Sequence, residues 1–317
     1  MAPVKLGYVG CGFMAQKVHI PNFLSISECD LVAIAEVRAE LGQKVQDRYR
    51  VPKLYKDHLE LAKDNEIEAV AVSADFALQG EIAKDLLSAG KCVFMEKPMA
   101  VSIKQAKSLL EAAKSANTKL MVGYMKRYDA GNELVKLNVT KFRETGELGD
   151  ITYVRNHGFC GDWICNLDTP MESTNEVAPS GPRKVPEWLP ADRVGSYLEE
   201  LSSLKWRVYG SHLSRVESHT IVGMNTQIYF QHGWVHTWAP PLLLKNTTAE
   251  VEIYRAGEDQ QILKPVPEPR WTWAYHRELE HFIKHVRTDQ PFRSSGEDSL
   301  TDVRLYEEIY KKFLDIS

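Results

Sequence analysis

The 317-residue sequence has few cysteines, no long apolar run and no excess of positive charge. It contains five cysteines, and no two pairs of them have the CxxC spacing of a zinc site. We therefore interpret Cys11, Cys29, Cys92, Cys160 and Cys165 as reduced thiols and predict no bound metal. No apolar segment approaches the roughly 18 residues that a membrane-spanning helix needs, so we expect no membrane partner.

The charge balance argues against nucleic acid as a partner. The chain has 39 basic and 43 acidic residues, a formal net charge of -4, and its basic residues are scattered. A nucleic-acid-binding surface normally requires a cluster of basic side chains. We therefore expect a small-molecule ligand. The first residues, MAPVKLGYVG, predict a strand rather than a signal peptide, which favours a cytoplasmic protein.

Short apolar runs alternate with amphipathic stretches from residue 4 to about residue 123. The runs are VKLGYV, LVAIAE, AVAVSA, CVFMEK and KLMVGY. This alternation is typical of βαβ units in a doubly wound parallel sheet. Gly90 and Asn117 follow two of the amphipathic stretches and are expected to end helices there. We predict an α/β fold in which residues 1–123 form a Rossmann dinucleotide-binding domain.

The pattern changes after about residue 150. The segments ITYVRNHGF, TQIYFQHGWVHTW and AEVEIYRAG predict strands, and helices are predicted at 212–223, 271–287 and 298–314. We predict that residues 124–317 form an α+β domain built on an open, mainly antiparallel sheet. Residues 161–195 predict a long loop, and a loop of this length in a compact domain is usually functional or disordered.

Closely spaced glycines follow the first predicted strand in the pattern GxxGxGxxA. In such a turn Gly10 permits a tight bend, Gly12 lets the backbone approach a pyrophosphate, and Ala15 lets the next helix pack on the strand. The amino end of that helix favours the negative phosphates. The predicted dinucleotide contacts in this turn are Gly10, Gly12, Phe13 and Met14.

Glu36, at the end of the second predicted strand, bears on which dinucleotide is bound. A carboxylate there can accept hydrogen bonds from the adenosine ribose hydroxyls and repel a 2′-phosphate, which favours NAD over NADP. Arg38 could instead pair with a 2′-phosphate, so NADP stays open. In the alternative interpretation Glu36 only begins a solvated helix.

Five segments carry a resemblance to a known family. They are GYVGCGFMA, SAGKCVFMEKPMA, VGYMKRYDAG, GSHLSRVESHTIVG and ELEHFIKHVRTDQPFRSSGEDSL. On these segments nearly the whole chain resembles the Gfo/Idh/MocA oxidoreductases, the family of glucose-fructose oxidoreductase and inositol dehydrogenase. The resemblance implies a Rossmann domain paired with an open-faced sheet domain for substrate binding and oligomerisation. It also implies oxidation or reduction of a ring hydroxyl in a sugar, cyclitol or sugar derivative.

The Glu-Lys-Pro segment is the most specific part of the resemblance. It implies that Lys97 is an active-site residue and that Glu96 and Pro98 hold its strand-end turn beside the nicotinamide. A lysine there can hydrogen-bond the reacting hydroxyl while hydride leaves the same carbon. Ser73 and Ala74 are expected to contact the nicotinamide ribose through their backbone. The family commonly has Thr-Pro and a helix-opening His in this region, where this chain has Ala74-Asp75 and Gln79.

The resemblance implies a second proton-handling residue, His212, since a neutral imidazole suits proton transfer near pH 7. The family aspartates that flank this histidine are replaced by Val208 and Arg215, which leaves the proton relay open. Tyr209 is adjacent and could supply a hydroxyl instead, or could be a packed aromatic residue. The predicted substrate contacts are Lys97, Arg127, Tyr128, His157 and His212.

The sequence leads to one principal function and two alternatives. We expect an NAD(P)-dependent dehydrogenase or reductase of a sugar-like substrate, assembled as a homodimer or homotetramer. One alternative is a glycosidase that uses NAD only transiently to permit elimination. The other is a regulatory protein that kept the dinucleotide fold and lost turnover, for which Val208 is the main support.

Overall fold

The computed structural model describes residues 2–157, 170–178, 185–191, 225–240, 245, 247–257, 260–268 and 272–316. The chain divides into two compact units. The first consists of Met1–Tyr124, Thr169–Pro190 and Leu279–Ser317, and the second of Met125–Asp168 and Ala191–Glu278. The first boundary lies beside the one predicted from the sequence. The sequence predicts a single division of the chain between residues 123 and 124. In the structure, Thr169–Pro190 and Leu279–Ser317 also belong to the first unit.

A six-stranded parallel sheet forms the centre of the first unit. Its strands are β1 (Val4–Val9), β2 (Cys29–Ala35), β3 (Lys53–Tyr55), β4 (Ala69–Val72), β5 (Cys92–Glu96) and β6 (Leu120–Gly123). They lie in the order β3-β2-β1-β4-β5-β6, and every pair is parallel. This confirms the predicted doubly wound sheet. The strand order reverses between β1 and β4, where ligands bind to such sheets.

Helices connect these strands. They are α1 (Ile20–Ser25), α2 (Ala39–Tyr49), α3 (His58–Ala62), α4 (Phe76–Ser88) and α5 (Ile103–Ser115), and a wider π-helical turn, Ala15–His19, precedes α1. Asp57, Asp75 and Ser102 each accept a backbone N–H bond from the first turn of the helix that follows. Gly90 and Asn117, with φ of 82° and 54°, follow the ends of α4 and α5 as predicted.

The carboxy-terminal segment packs on the first sheet. It contains α7 (Ala274–His285) and α8 (Gly296–Phe313), and α8 lies against α5. The backbone N–H of Val122 in β6 donates to Ser294 O over 2.9 Å, and Ile103 N donates to the Glu307 carboxylate over 2.9 Å. These contacts explain why the end of the chain belongs to the first unit. The amphipathic pattern of a helix does not reveal which sheet it covers.

The second unit contains α6 (Ala130–Thr145) and a five-stranded antiparallel sheet. The strands are β7 (Ile151–His157), β8 (Asn225–Phe230), β9 (Gly233–Trp238), β10 (Glu250–Arg255) and β11 (Gln261–Leu263), in the order β11-β10-β9-β8-β7. The predicted open antiparallel sheet is therefore confirmed. The helix predicted at 212–223 lies outside the described residues. No helix in the described part of the chain is long and apolar enough to cross a membrane.

The two faces of this second sheet differ. One face packs on α6 through a buried core that includes Phe142, Phe230 and Val235. The other face carries a run of neighbouring aromatic rings. This aromatic face consists of Tyr153, Tyr229, Trp234, His236 and Tyr254, with ring centroids 3.9–5.9 Å apart between successive neighbours.

Candidate cofactor and active site

The glycine turn after β1 lies at the point where the strand order reverses. Gly10 has φ of 93°, and a Cβ atom built on it would lie 2.3 Å from Ser73 O, so only glycine fits without strain. A Cβ atom on Gly12 would meet nothing within 4 Å. The turn is therefore closed towards β4 and open beside Gly12. This shape fits a pyrophosphate approached by the backbone, as the glycine pattern predicts.

Phe13 and Met14 follow the turn as half-buried residues of the first helical segment, and Ala15 is fully buried. The backbone widens into a π-helical turn immediately afterwards. Turns of this kind within helices are frequent at functional sites.

The Glu36 carboxylate lies beneath the glycine turn and is only 5% exposed. It accepts a 2.7 Å bond from the backbone N–H of Cys11. Arg38 binds the same carboxylate with Nε and Nη2, over 2.8 and 3.1 Å. This burial contradicts the alternative in which Glu36 only begins a solvated helix. The hydrogen bond to Glu36 and the charge of that carboxylate raise the pKa of Arg38 above its ordinary value, with a smaller contribution from the charge of Glu176.

Lys97 is half-buried directly after β5, in a turn with a cis Lys97-Pro98 peptide bond. Gln79 holds this turn from α4. Its Nε2 donates to Glu96 O over 2.8 Å and to Pro98 O over 2.6 Å, and the side chain is 1% exposed. The position at which the family commonly has a histidine therefore carries a residue that fixes the backbone on both sides of Lys97.

A buried chain of polar side chains connects the Lys97 turn with the end of β4. Glu96 Oε1 lies 3.1 Å from Nε2 of the fully buried His19, a contact that is poorly aligned for a hydrogen bond. His19 Nδ1 lies 2.6 Å from the Tyr8 hydroxyl, which donates to Ser73 Oγ over 2.8 Å. We refer to Glu96, His19, Tyr8 and Ser73 as the buried polar chain.

Two groups in the buried polar chain have shifted pKa values. Burial alone would raise the pKa of Glu96, but the contact with His19 and the charge of Lys97 hold it below its ordinary value. Burial raises the pKa of Tyr8 well above its ordinary value. Glu96 is therefore a carboxylate and Tyr8 a neutral hydroxyl at neutral pH.

The predicted cofactor residues of the first unit lie along the carboxyl edge of the parallel sheet. Gly10 and Gly12 follow β1, Glu36 and Arg38 follow β2, Ser73 and Ala74 follow β4, and Glu96 and Lys97 lie at the end of β5. Sequence reasoning missed Tyr8, His19 and the role of Gln79, because a lone histidine or glutamine in an apolar helix does not indicate its partners.

The predicted substrate residues of the second unit are only partly described. Arg127 and Tyr128 lie in the short 3₁₀ turn Met125–Tyr128, and the Tyr128 carbonyl accepts a 2.5 Å bond from Arg277 Nη1. His157 ends β7, where its backbone pairs with Asn225. Tyr209 and His212, together with Val208 and Arg215, lie outside the described residues.

Metal-binding and disulfide chemistry are not found in the part of the chain that the structure describes. No group of three His, Cys, Asp or Glu residues there could hold a metal ion. Cys11, Cys29 and Cys92 are free thiols, and burial raises the pKa of each, to about 12 for Cys29.

Comparisons with known proteins identify similar sequences and structures. The sequence model of the Gfo/Idh/MocA proteins, described as "Oxidoreductase family, NAD-binding Rossmann fold", matches residues 4–124. The inositol 2-dehydrogenase/D-chiro-inositol 3-dehydrogenase of Lacticaseibacillus casei is 31% identical over 310 residues, 91% of this chain and 86% of that protein. The inositol 2-dehydrogenase of Salmonella typhimurium is 29% identical over 171 residues. This match covers 53% of this chain and 49% of that protein, so the chain matches only about half of the relative's length.

Solved structures share the fold at low sequence identity. An aldose-aldose oxidoreductase from Caulobacter crescentus, complexed with glycerol, superposes with a TM-score of 0.67 at 19% identity, covering 98% of this chain and 97% of that one. A 3-ketoreductase from Actinomadura kijaniata, in complex with NADP and TDP-benzene, has a TM-score of 0.64 at 18% identity and covers 96% of each chain.

Proposed function

Because this chain belongs to the Gfo/Idh/MocA family of oxidoreductases, we propose that it is a nicotinamide-dependent dehydrogenase or reductase of a sugar-like or cyclitol substrate. The observation that supports this most directly is the shared edge of the parallel sheet. There the open glycine turn, the buried Glu36 carboxylate and Lys97 lie at the ends of adjacent strands. A dinucleotide lying along that edge would bring its reactive ring to Lys97.

We assign the chemical roles as follows. Gly10 and Gly12 bind the pyrophosphate, Glu36 binds the adenosine ribose, and the backbone of Ser73 and Ala74 contacts the second ribose. The chemistry that nicotinamide would supply there is hydride transfer to or from the substrate carbon. Lys97 Nζ hydrogen-bonds the substrate oxygen and exchanges its proton as the carbon is oxidised or reduced. His212, with Tyr209 beside it, is proposed as the second group that moves a proton.

We propose NAD as the preferred cofactor, with NADP as the alternative. The Arg38 guanidinium is bound to the Glu36 carboxylate by two hydrogen bonds, so it is not available to a 2′-phosphate without breaking them. The carboxylate itself can exchange these bonds for those of ribose hydroxyls. The family description names NAD, whereas the 3-ketoreductase of similar fold binds NADP.

The substrate proposal comes from the relatives. The Lacticaseibacillus casei protein is named an inositol dehydrogenase, and the chain covers most of its length. We propose Arg127, Tyr128 and His157 as contacts to the hydroxyls of such a ring, in addition to Lys97 and His212. In this proposal residues 1–123, which form most of the first unit, serve mainly the cofactor, and the second unit, which lies within the predicted domain 124–317, serves the substrate and assembly. We also propose a cytoplasmic location, where thiols stay reduced, and the three cysteines that the structure describes are free thiols.

The experiment that tests this function is a panel of cyclitols and sugars incubated with NAD or NADP, with reduced cofactor measured by absorbance. We expect at least one cyclitol or sugar to reduce NAD in stoichiometric amounts. Release of a leaving group without net NADH would instead identify the transient-redox glycosidase. If NAD binds but no substrate is turned over, the regulatory alternative replaces the proposal.

We also propose that the aromatic face of the second sheet is buried between copies of the chain. Contiguous aromatic surface on an antiparallel sheet is unusual on a monomer and is typical of an assembly contact. Sedimentation equilibrium of the full chain should give the mass of a dimer or tetramer. Trp234→Glu, which places a charge at the centre of this face, should shift the mass towards the monomer. Wild-type protein that sediments as a monomer would refute the assembly.

A further inference from the structure

Residues 170–178, from the long segment that the sequence predicts as a loop, lie on the first unit beside the glycine turn. Gln16, which is 4% exposed, anchors them. Its Oε1 accepts from Glu172 N over 2.8 Å, and its Nε2 donates to Glu172 O over 3.0 Å. The same Nε2 donates to Cys11 O over 2.8 Å, so one side chain connects the segment to the glycine turn.

The segment then follows α2 towards the amino end of that helix. Arg48 Nη1 lies 3.1 Å from the Glu172 carboxylate, and Lys44 Nζ donates to Ser173 O over 2.9 Å. The Thr174 hydroxyl donates to the Glu40 carboxylate over 2.6 Å. Successive residues of the segment therefore pair with successive turns of α2, which gives the segment a defined register.

This register brings Glu176 to the amino end of α2, the helix that begins directly after Arg38. Glu176 Oε2 accepts a 2.8 Å bond from the backbone N–H of Glu40 in the first turn of α2. The hydrogen bond and the charge of Glu36 act most strongly in raising the pKa of Arg38, and the charge of Glu176 adds a smaller contribution in the same direction. Arg38 is thus influenced by two carboxylates, one buried beneath the glycine turn and one from a segment about 140 residues later in the chain.

Given the proposed dinucleotide site, on which this step rests, we propose that Glu176 is a cofactor-specificity residue that disfavours the 2′-phosphate of NADP. The 2′ position of the adenosine ribose is recognised by the acidic residue after the second strand or by a nearby arginine. A phosphate there would have to draw Arg38 away from Glu36 and would face the Glu176 carboxylate. NAD carries a hydroxyl at this position and meets no such repulsion.

The test is the ratio of the dissociation constants of NADP and NAD, measured by calorimetry on the full-length protein at low and high salt. Glu176→Gln should lower this ratio by about fivefold at low salt, mainly through tighter NADP binding, since one exposed like charge is removed. The difference from wild type should shrink at high salt because the charge is exposed to solvent. Glu176→Asp keeps the charge and should keep most of the wild-type ratio.

Glu172→Gln is the matched control, since it removes a carboxylate from the same segment that pairs with Arg48 instead. Its ratio should equal that of the wild type. If Glu172→Gln changes the ratio as much as Glu176→Gln does, or if Glu176→Gln leaves it unchanged, the role of Glu176 is refuted. Wild-type protein that binds neither NAD nor NADP would refute the dinucleotide site itself.

Discussion

Lys97→Ala is expected to lower kcat by about 10²–10⁴-fold, the usual contribution of a positioned general acid or base. NAD binding should change little, because the side chain is assigned to the reacting hydroxyl and not to the pyrophosphate or the adenosine. The backbone of the turn should also persist, since Gln79 holds the carbonyl groups on both sides of Lys97. Steady-state kinetics with the substrate found in the screen, together with calorimetric NAD binding, measures the two effects separately.

Two further variants separate the role of Lys97 from the effect of losing any lysine and from the effect of its charge. Lys107→Ala removes an exposed lysine of α5 and should leave kcat unchanged. Lys97→Arg keeps a positive charge, but arginine does not release its proton in proteins, so this variant should remain as impaired as Lys97→Ala. Substantial activity in Lys97→Arg would mean that the charge, and not the proton, is what the reaction needs. Full activity in Lys97→Ala would contradict the mechanism.

The second large effect is expected at the glycine turn. Gly12→Ala adds a methyl group where the structure has open space, so the free energy of unfolding should change by less than about 0.5 kcal/mol. The same methyl group would separate the backbone from the pyrophosphate. We expect NAD binding to weaken at least about tenfold, which corresponds to about 1.4 kcal/mol. Thermal unfolding without cofactor and calorimetry with NAD provide the two measurements.

Gly10→Ala should behave differently from Gly12→Ala. Its methyl group would lie 2.3 Å from Ser73 O, at φ of 93°, so the turn must move to accommodate it. We expect a loss of about 1–3 kcal/mol of unfolding free energy, as for other strained backbone positions, in addition to weaker NAD binding. Gly90→Ala controls for backbone strain alone, since Gly90 has φ of 82° but open space around its Cβ position. Wild-type NAD affinity in Gly12→Ala would show that no phosphate approaches this turn.

The sheet could be predicted where its strands are long and fully buried. VKLGYV predicts β1 with its observed ends, Val4–Val9, because a continuous apolar run ends at the glycine turn. Lys53–Tyr55 and Gln261–Leu263 were missed, since strands of three half-buried or exposed residues have no recognisable periodicity. The return of the carboxy-terminal helices to the first unit depends on contacts with β6 and α5, which no local pattern indicates.

Prediction of the candidate site from the sequence has the same limit, because local patterns do not indicate distant contacts. Gly10, Glu36 and Lys97 could be found because each stands at a strand end within a short motif. Gln79 could not be assigned a role, because its acceptors lie 17 and 19 residues away and are backbone atoms. Glu176 is still less accessible to sequence reasoning, since it binds a backbone N–H 136 residues earlier.

The buried polar chain has a consequence for redesign of this protein. Tyr8 and His19 come from the segment that also carries the glycine turn, yet they contact Ser73 and Glu96 at the carboxyl ends of two other strands. Exchanging residues 1–38, which include Glu36 and Arg38, for those of a relative with another cofactor preference would therefore also change the support beneath Lys97. A graft that keeps Tyr8 and His19 should transfer cofactor choice with less loss of turnover than one that replaces them.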